Sequence, residues 1–255
     1  MKELEKNLEA TGGVPAEAEL AAINRFAKSP LRAEEVYTFS LRLCDNEVDR
    51  DWERFDTAAL NTLGDLFVGK SGIFDHQWTA EGQTARIYRA EVVREPEATT
   101  RAGDPLCYVK GYAYMLRTEA NRDLIAEIDA GIKREVSVGC AVERSVCSVC
   151  GEDIRDREKC RHIRGRTYNG KLCWAELDGV TDAYEWSFVA VPAQPRAGVV
   201  KRFGSEGTEL RMLRKQAELG QRYLTGLRRE VARLGGLAEC GLEAPMLEHI
   251  AEKLD

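Results

Sequence analysis

The sequence predicts an α+β protein whose body is mainly β-structure with two or three interleaved helices. Several segments alternate apolar and polar residues, which is typical of half-buried strands, and others space their apolar residues about one helical turn apart. The 255 residues are 44% hydrophobic and 31% charged, which fits one soluble folded core with an appendage. The net charge of -6 disfavours a general nucleic-acid binder.

The elements follow one another along residues 16–203, after a loose polar arm at 1–15. Helices are predicted at 16–28, at 56–67 with Asp56 as N-cap, and at 118–132 with Thr118 as N-cap. Strands are predicted at 37–43, 85–93, 108–116, 135–142 and 184–191. Residues 204–255 differ in composition and are predicted to form a helical arm.

The arm contains a heptad-like seam. Its apolar or small residues follow 3-4 spacing: Leu210, Leu213, Ala217, Gly220, Leu224, Leu227, Val231 and Leu234. Two interpretations stay open at this point. The helix packs back on the body, or it is a coiled-coil arm that self-associates or holds a partner.

The composition of the N-terminus and the cysteine usage indicate the cellular compartment. The N-terminus is charged and has no apolar signal region, and no apolar run approaches the ~18–20 residues that span a bilayer. We therefore expect a protein kept in a reducing cytosol, where clustered cysteines indicate metal ligands rather than disulfides.

A cysteine cluster lies between the last two predicted strands, at 146–174. The predicted ligands are Cys147, Cys150, Cys160 and His162, with Cys173 as the alternative to His162. Two residues between Cys147 and Cys150 let both thiolates reach one ion, and four protein ligands indicate a closed, structural zinc site. Buried free thiols or a disulfide are the competing interpretations.

Candidate catalytic residues lie upstream of the cysteine cluster and on the strand that precedes it. His162 belongs to the cysteine cluster and His249 to the tail, so His76 in GIFDHQW is the candidate general base by elimination. In REVSVGCAV, Ser137 points away from the apolar face beside small residues, as an accessible nucleophile must. A structural histidine and an ordinary solvent-facing serine are the alternatives.

A carboxylate from the last strand completes the set. In AYEWSFVAV, Tyr184, Trp186 and Phe188 are predicted to share one face and Glu185 the other, where it would orient the imidazole. Asp182 is the second choice for this role, and a surface carboxylate is the competing interpretation of Glu185.

Three motifs in this order, GIFDHQW, KREVSVG and DAYEWSFVAVPAQPRAG, resemble the prohead (capsid maturation) proteases of tailed bacteriophages. The resemblance covers roughly residues 37–200. It implies Ser137 as nucleophile, His76 as base and Glu185 as acid, in an antiparallel β-barrel wrapped by helices, similar to the herpesvirus assemblin-type proteases. Arg196 is a weak candidate for assisting the oxyanion. The simpler family members lack the cysteine-rich insert.

The resemblance also implies a biological setting. The enzyme would cleave scaffold and capsid-protein precursors, and also itself, inside an immature capsid in the host cytoplasm. The alternative is a non-enzymatic assembly or scaffolding protein in which the zinc insert and the heptad arm bind partners. A zinc-dependent nucleic-acid module fits the acidic composition less well.

Overall fold

A computed structural model describes residues 14–200 and, further on, 223–228, 230, 231, 234 and 246. The chain divides into two units, Met1–Lys201 and Arg202–Asp255. The described residues of the second unit are helical. Four seam residues are described there and all are exposed: Leu224, Leu227, Val231 and Leu234. The rest of the predicted seam, His249, Cys240 and the predicted arm up to residue 13 lie outside the described residues.

The first unit contains short helices around a large sheet. The helices are α1 (Glu17–Asn24), α2 (Thr57–Phe67) and α3 (Arg122–Asp129). The strands are β1 (Val36–Asp45), β2 (Glu53–Phe55), β3 (Ser71–Phe74), β4 (Ala85–Thr99), β5 (Pro105–Leu116), β6 (Val136–Cys147), β7 (Thr167–Tyr168), β8 (Lys171–Leu172), β9 (Ala175–Phe188) and β10 (Gly198–Val199).

Eight of these strands form one mixed sheet in the order β10-β1-β5-β4-β3-β9-β2, and β6 pairs with the other edge of β9. Strands β7 and β8 form a separate small hairpin within the cysteine-rich insert. The α+β class is therefore confirmed. The core is built from the inward faces of β1, β5 and β9 and from α2, with Leu41, Leu60 and Trp186 fully buried.

The sheet is mixed and is not a closed barrel, whereas the family resemblance implies a mainly antiparallel barrel that is closed or nearly closed. Both β2 and β3 run parallel to β9. Among the described residues, β10 is linked to the start of β6 by one isolated bridge, Glu135↔Gly198, and by the hydrogen bond from Val199 N–H to the Arg134 carbonyl. The segment between β9 and β10 contains Pro192 and Pro195, and proline cannot donate to a strand ladder, so β10 has only two residues with which to close the sheet.

A helix begins at the predicted position where the predicted N-cap residue forms its hydrogen bond. The Asp56 carboxylate accepts the backbone N–H of Ala59 at 2.6 Å, and α2 buries Leu60, Leu63 and Phe67. The helix predicted at 118–132 is shorter than expected. Thr118 makes no capping hydrogen bond, and the segment is a 3₁₀ turn at Glu119–Asn121 followed by α3.

A close approach of backbone to an indole ring stabilises the junction of β3 and β9. Gly72 lies opposite Trp186 in the parallel ladder, and a Cβ atom on Gly72 would lie 2.2 Å from Cζ2 of that fully buried ring. Only glycine fits there without moving the indole.

We expect Gly72→Ala to lower the free energy of unfolding by about 1–3 kcal/mol, because an added methyl overpacks a filled core. A urea denaturation curve followed by tryptophan fluorescence measures this loss. Gly64→Ala is the matched control. Gly64 lies within α2, and its new Cβ atom would meet only the Val92 side chain, at 3.8 Å. Stability should therefore be unchanged or higher. Equal stability of both variants would contradict the packing argument.

Candidate active site and metal centre

Strand β9 brings the candidate catalytic residues together because it is paired along both edges. On one edge β3 runs parallel to it, with Ile73 opposite Ser187 and Phe74 opposite Phe188. On the other edge β6 runs antiparallel, with Ser137 opposite Ser187. The turn that follows β3 carries His76, so three segments far apart in sequence meet around one point of β9.

The turn after β3 is held in an unusual conformation. Asp75 and His76 both have positive φ angles, 49° and 54°, which L-residues adopt at a cost in free energy. Two backbone hydrogen bonds fix the turn, from Asp75 N–H to the Phe188 carbonyl at 3.0 Å and from Gln77 N–H to the Phe74 carbonyl at 2.9 Å. This backbone directs the His76 imidazole toward β9.

His76 is hydrogen-bonded to Glu185. The distance from His76 Nδ1 to Glu185 Oε1 is 2.8 Å, and the carboxylate is buried whereas the imidazole is 43% exposed. An ionised carboxylate only accepts hydrogen bonds, so Nδ1 carries the proton and Nε2 is left as the basic nitrogen. This is the arrangement in which an acid orients a general base.

Ser187 is the residue that the sequence interpretation missed. Its hydroxyl is fully buried, donates to Glu185 Oε2 at 2.6 Å and accepts the backbone N–H of His76 at 3.0 Å. One side chain therefore fixes both the carboxylate and the backbone of the histidine turn. Its sequence signal is weak: a serine two residues after a glutamate, on the same face of a strand, is a common pattern.

Ser137 lies on the neighbouring strand, directly opposite Ser187 and on the same face of the sheet. Directly paired residues have Cβ atoms about 4.5–5.5 Å apart. The side chains of Ser137 and Ser187 are therefore neighbours, and Ser187 is the residue that anchors His76. Ser137 is half-buried and its hydroxyl makes no hydrogen bond to any described residue. Ser137 thus lies on the strand that pairs with Glu185 and Ser187 and is hydrogen-bonded to neither of them.

Gly139 makes room for the carboxylate. It lies opposite Glu185, and a Cβ atom at this position would lie 2.5 Å from Glu185 Oε1, the oxygen that bonds His76. The glycine two residues after Ser137 is therefore required by the neighbouring acid.

Tyr184 departs from the predicted face. The ladder changes register between Gly139 and Cys140, where Glu185 and Ala183 are the consecutive partners on β9, so Tyr184 is the extra residue of a bulge. Trp186 and Phe188 are buried as predicted, but Tyr184 is 44% exposed and contacts the exposed Trp78 ring at a centroid distance of 5.3 Å. The strict alternation predicted for this strand is wrong at this position because of the bulge.

The alternative candidates have other partners or positions. Asp182 pairs with Lys70 at 3.1 Å, not with His76. Arg196 is exposed and lines a neighbouring cavity that does not include Ser137. Cys140, near Ser137 on β6, has its pKa raised to about 11 by burial, so it is protonated at neutral pH and a poor nucleophile.

Ser137 opens into a cavity of about 350 Å³ that is lined by β6, by Leu177 of β9, by Phe55 of β2 and by the segment 193–197. The Val189 N–H donates to the Glu135 carbonyl, so Ser137 and Gly139 also direct their backbone groups toward β9. The N–H and C=O of Val138 consequently point away from β9. This stretch of β6 is an open strand edge beside the serine.

The cysteine cluster lies at the opposite end of β6 and β9. The donor atoms of Cys147, Cys150, Cys160 and His162 all lie within 4.8 Å of one another, so this set could hold a metal ion. The Cys150–Cys160 sulfur distance is 3.6 Å, and Cys160 Sγ lies 3.7 Å from His162 Nδ1. Zinc–sulfur bonds of ~2.3 Å at tetrahedral angles span ~3.8 Å between sulfurs, so the spacing fits one ion.

Cys173, the alternative ligand, belongs to the same cluster. It is fully buried, and its sulfur lies 3.8 Å from that of Cys147. Burial raises the pKa of Cys160 to about 11 and that of Cys173 to about 12, with neighbouring thiols adding to both shifts. Burial also acts on Cys147, but hydrogen bonds from the N–H groups of Cys150 and Val149 and from the Cys150 and Cys160 thiols together outweigh it and lower the pKa of Cys147. Thiols packed this closely need a cation before all of them can ionise.

Comparison of the chain with protein-family models, with curated proteins and with solved structures finds no match in any of the three. Within the part of the chain that the structure describes, no helix has the length and apolar character needed to cross a bilayer.

Proposed function

We propose that this protein is a serine endopeptidase in which Ser137 is the nucleophile, His76 the general base and Glu185 the orienting acid. The observation that carries the proposal is the hydrogen-bonded set of His76, Glu185 and Ser187, which lies beside an unengaged serine on the adjoining strand. A buried carboxylate bonded to Nδ1 of a solvent-accessible imidazole is the geometry that general-base catalysis requires.

In this mechanism the two nitrogens of His76 have different roles. Nδ1–H stays with Glu185 while Nε2 removes the proton of Ser137 Oγ as this oxygen attacks a peptide carbonyl. Nε2 then returns the proton to the leaving amine, and water hydrolyses the acyl-enzyme by the same route. The remaining contact, from Ser137 to Nε2, is one that catalytic sites often complete only when substrate binds.

Ser187 acts as a positioning residue in this scheme. Its donated hydrogen bond occupies Glu185 Oε2 and leaves Oε1 for the imidazole. Its accepted bond from His76 N–H keeps the strained turn in place. It is buried and committed to these two partners, so it is not itself a nucleophile.

The open edge of β6 favours a peptide as the substrate. An extended chain laid along this edge would bond to the N–H and C=O of Val138, as peptides do when they add a strand to a sheet. Its carbonyl groups would then pass close to Ser137, which lines the same cavity as Val138. A small-molecule hydrolase would have no use for such a strand edge.

Within this proposal, the resemblance to prohead proteases supplies the biological role. We infer limited proteolysis of scaffold and capsid-protein precursors, and of the chain itself, inside an immature phage capsid in the host cytoplasm. An assemblin-like ancestry belongs to the same inference. It is supported by the motifs GIFDHQW, KREVSVG and EWSFVAVPAQPRAG, whose residues supply the set around Glu185.

The metal in this proposal is zinc with a structural role. Cysteine sulfurs and a histidine nitrogen at tetrahedral spacing are typical of zinc, and four protein ligands leave no open position for catalysis. The ion would hold the insert between β6 and β9. Cys147 ends β6 and Cys173 lies two residues before β9.

An assembly function is the second candidate, and the exposed seam of the C-terminal unit favours it. Leu224, Leu227 and Val231 follow heptad spacing and are each 42–44% exposed. Exposed apolar residues at this spacing are suited to a helical partner, such as a second copy of the chain. This function can coexist with proteolysis, and without proteolysis it would make Ser137 incidental.

Replacing Ser137 with alanine tests the proposal. We expect the wild-type protein to react with a fluorophosphonate at Ser137 and to show truncated products in its intact mass spectrum. The Ser137→Ala variant should show neither result and should unfold at the same temperature as the wild type. Ser71→Ala, a strand serine bonded to Gln83, is the matched control and should react like wild type. Labelling or truncation that persists in Ser137→Ala would eliminate the protease and leave the assembly function.

A further inference from the structure

The cavity beside Ser137 contains an acidic group that the catalytic scheme does not use. The cavity has a volume of about 350 Å³ and apolar walls that include Leu43, Phe55 and Leu177. Asp49 and Glu53 line it as well, on the loop between β1 and β2 and at the start of β2. An apolar pocket with a few polar groups is the usual form of a side-chain binding site.

Only one oxygen of Asp49 is engaged. Its Oδ1 accepts the backbone N–H of Asp51 at 2.9 Å and of Glu53 at 2.8 Å, which fixes the loop. No hydrogen bond to Oδ2 is formed by any residue within the described range 14–200. The side chain is half-buried, so this oxygen has lost part of its hydration without gaining a protein donor.

The other charged residue in the lining of this cavity, Glu53, does not neutralise Asp49. The pKa of Asp49 is raised to about 6, mainly by burial and also by the carboxylates of Glu53 and Asp51, while the backbone N–H groups of Glu53 and Asp51 lower it. Glu53 itself is ion-paired with Arg164 of the cysteine-rich insert. The cavity therefore presents an acidic group whose natural partner is a cation entering from outside.

We propose that this cavity binds the side chain of a lysine or arginine adjacent to the scissile bond of the substrate. The inference rests on the proposed peptidase function and adds a substrate class to it. The methylene stem of such a side chain would cover Leu43, Phe55 and Leu177, and its charged end would reach Asp49. An acidic side chain would be repelled there, and an apolar one would leave Oδ2 desolvated and unpaired.

A peptide library tests the substrate class directly. We expect wild-type protein to cleave preferentially at peptides with lysine or arginine at one fixed position next to the cut. Asp49→Asn should lower kcat/KM for these peptides about 10–100-fold, mainly through KM, because the contact to a charged group is lost. Asparagine keeps the Oδ1 acceptor, so the loop is retained. Asp51→Asn, which removes an exposed carboxylate from the same loop, is the matched control and should leave kcat/KM unchanged.

A binding measurement separates this proposal from the peptidase proposal. Calorimetry with Ser137→Ala and a lysine-containing peptide should give an affinity about 10–100-fold above that of the Asp49→Asn/Ser137→Ala double variant. Cleavage without a basic preference, or a preference that survives Asp49→Asn, would overturn the subsite and leave the peptidase. If wild type cleaves nothing but the Asp49-dependent affinity is measured, the peptidase fails and the cation site remains. Equal affinities of the two variants would overturn the cation site.

Discussion

Glu185→Gln is expected to slow the acylation of Ser137 about 10⁴-fold, since a neutral amide no longer holds the imidazole in the required tautomer. In the protein, Glu185 Oε1 lies 2.8 Å from His76 Nδ1 and can only accept a hydrogen bond. A glutamine of equal size can offer an N–H group there instead, which would leave the proton on Nε2 and remove the base. The rate of fluorophosphonate labelling measures the loss.

Two comparisons make the Glu185 result specific. Asp182→Asn removes a carboxylate three residues away that is paired with Lys70, and its labelling rate should equal that of wild type. Nitrogen NMR of labelled histidine should report the Nδ1–H tautomer of His76 in wild type and the Nε2–H tautomer in Glu185→Gln. An unchanged labelling rate in Glu185→Gln would remove Glu185 from the mechanism.

Removal of the metal is expected to unfold the cysteine-rich insert while the rest of the sheet stays folded. Structural zinc contributes about 10–16 kcal/mol of binding free energy in small zinc-finger peptides. Without the ion, the insert retains the small β7–β8 hairpin, turn hydrogen bonds and an apolar cluster whose buried members are the cysteines themselves. Limited proteolysis before and after chelation, read by mass spectrometry, should show new cuts confined to residues 148–174.

Elemental analysis and two substitutions define the metal site further. We expect about one zinc ion per chain in protein purified without chelator, and a loss of zinc in Cys147→Ser. His162→Gln and Cys173→Ser form a matched pair. Only the substitution that removes the fourth ligand should cause the protein to release zinc at low chelator concentration. Protein that contains no metal and resists proteolysis equally with and without chelator would contradict the structural zinc site.

Much of the fold follows from local sequence patterns, because those patterns report burial along a single element. Alternation at 37–43 corresponds to β1, and Asp56 followed by helical spacing corresponds to α2. The strands β2 and β3 were not predicted. They have three and four residues, too few for a periodic signal, and each is defined by parallel pairing with the distant β9.

The candidate site was predictable where residue type limited the choice. Three histidines in the chain left His76 by elimination, and the face of the β9 strand selected Glu185. Ser187 could not be selected, since its role depends on the turn after β3 returning to β9. The mainly antiparallel, closed or nearly closed barrel implied by the resemblance agrees only in part with the mixed sheet, for a similar reason: periodicity fixes which face of a strand is buried, but not which strand lies beside it.

The β6–β9 pair joins the candidate catalytic site to the candidate metal site and also separates them. Its ladder runs from Val136↔Phe188 beside the candidate catalytic residues to Cys147↔Ala175 beside the cysteine cluster, and two register shifts interrupt it between Gly139 and Val142. Extra residues inserted at the tip of a hairpin lengthen it without altering its base, and the bulges absorb differences in twist between the two ends. The tip of this hairpin is therefore a position where the insert can change in length while the strand pairing around Ser137 stays the same.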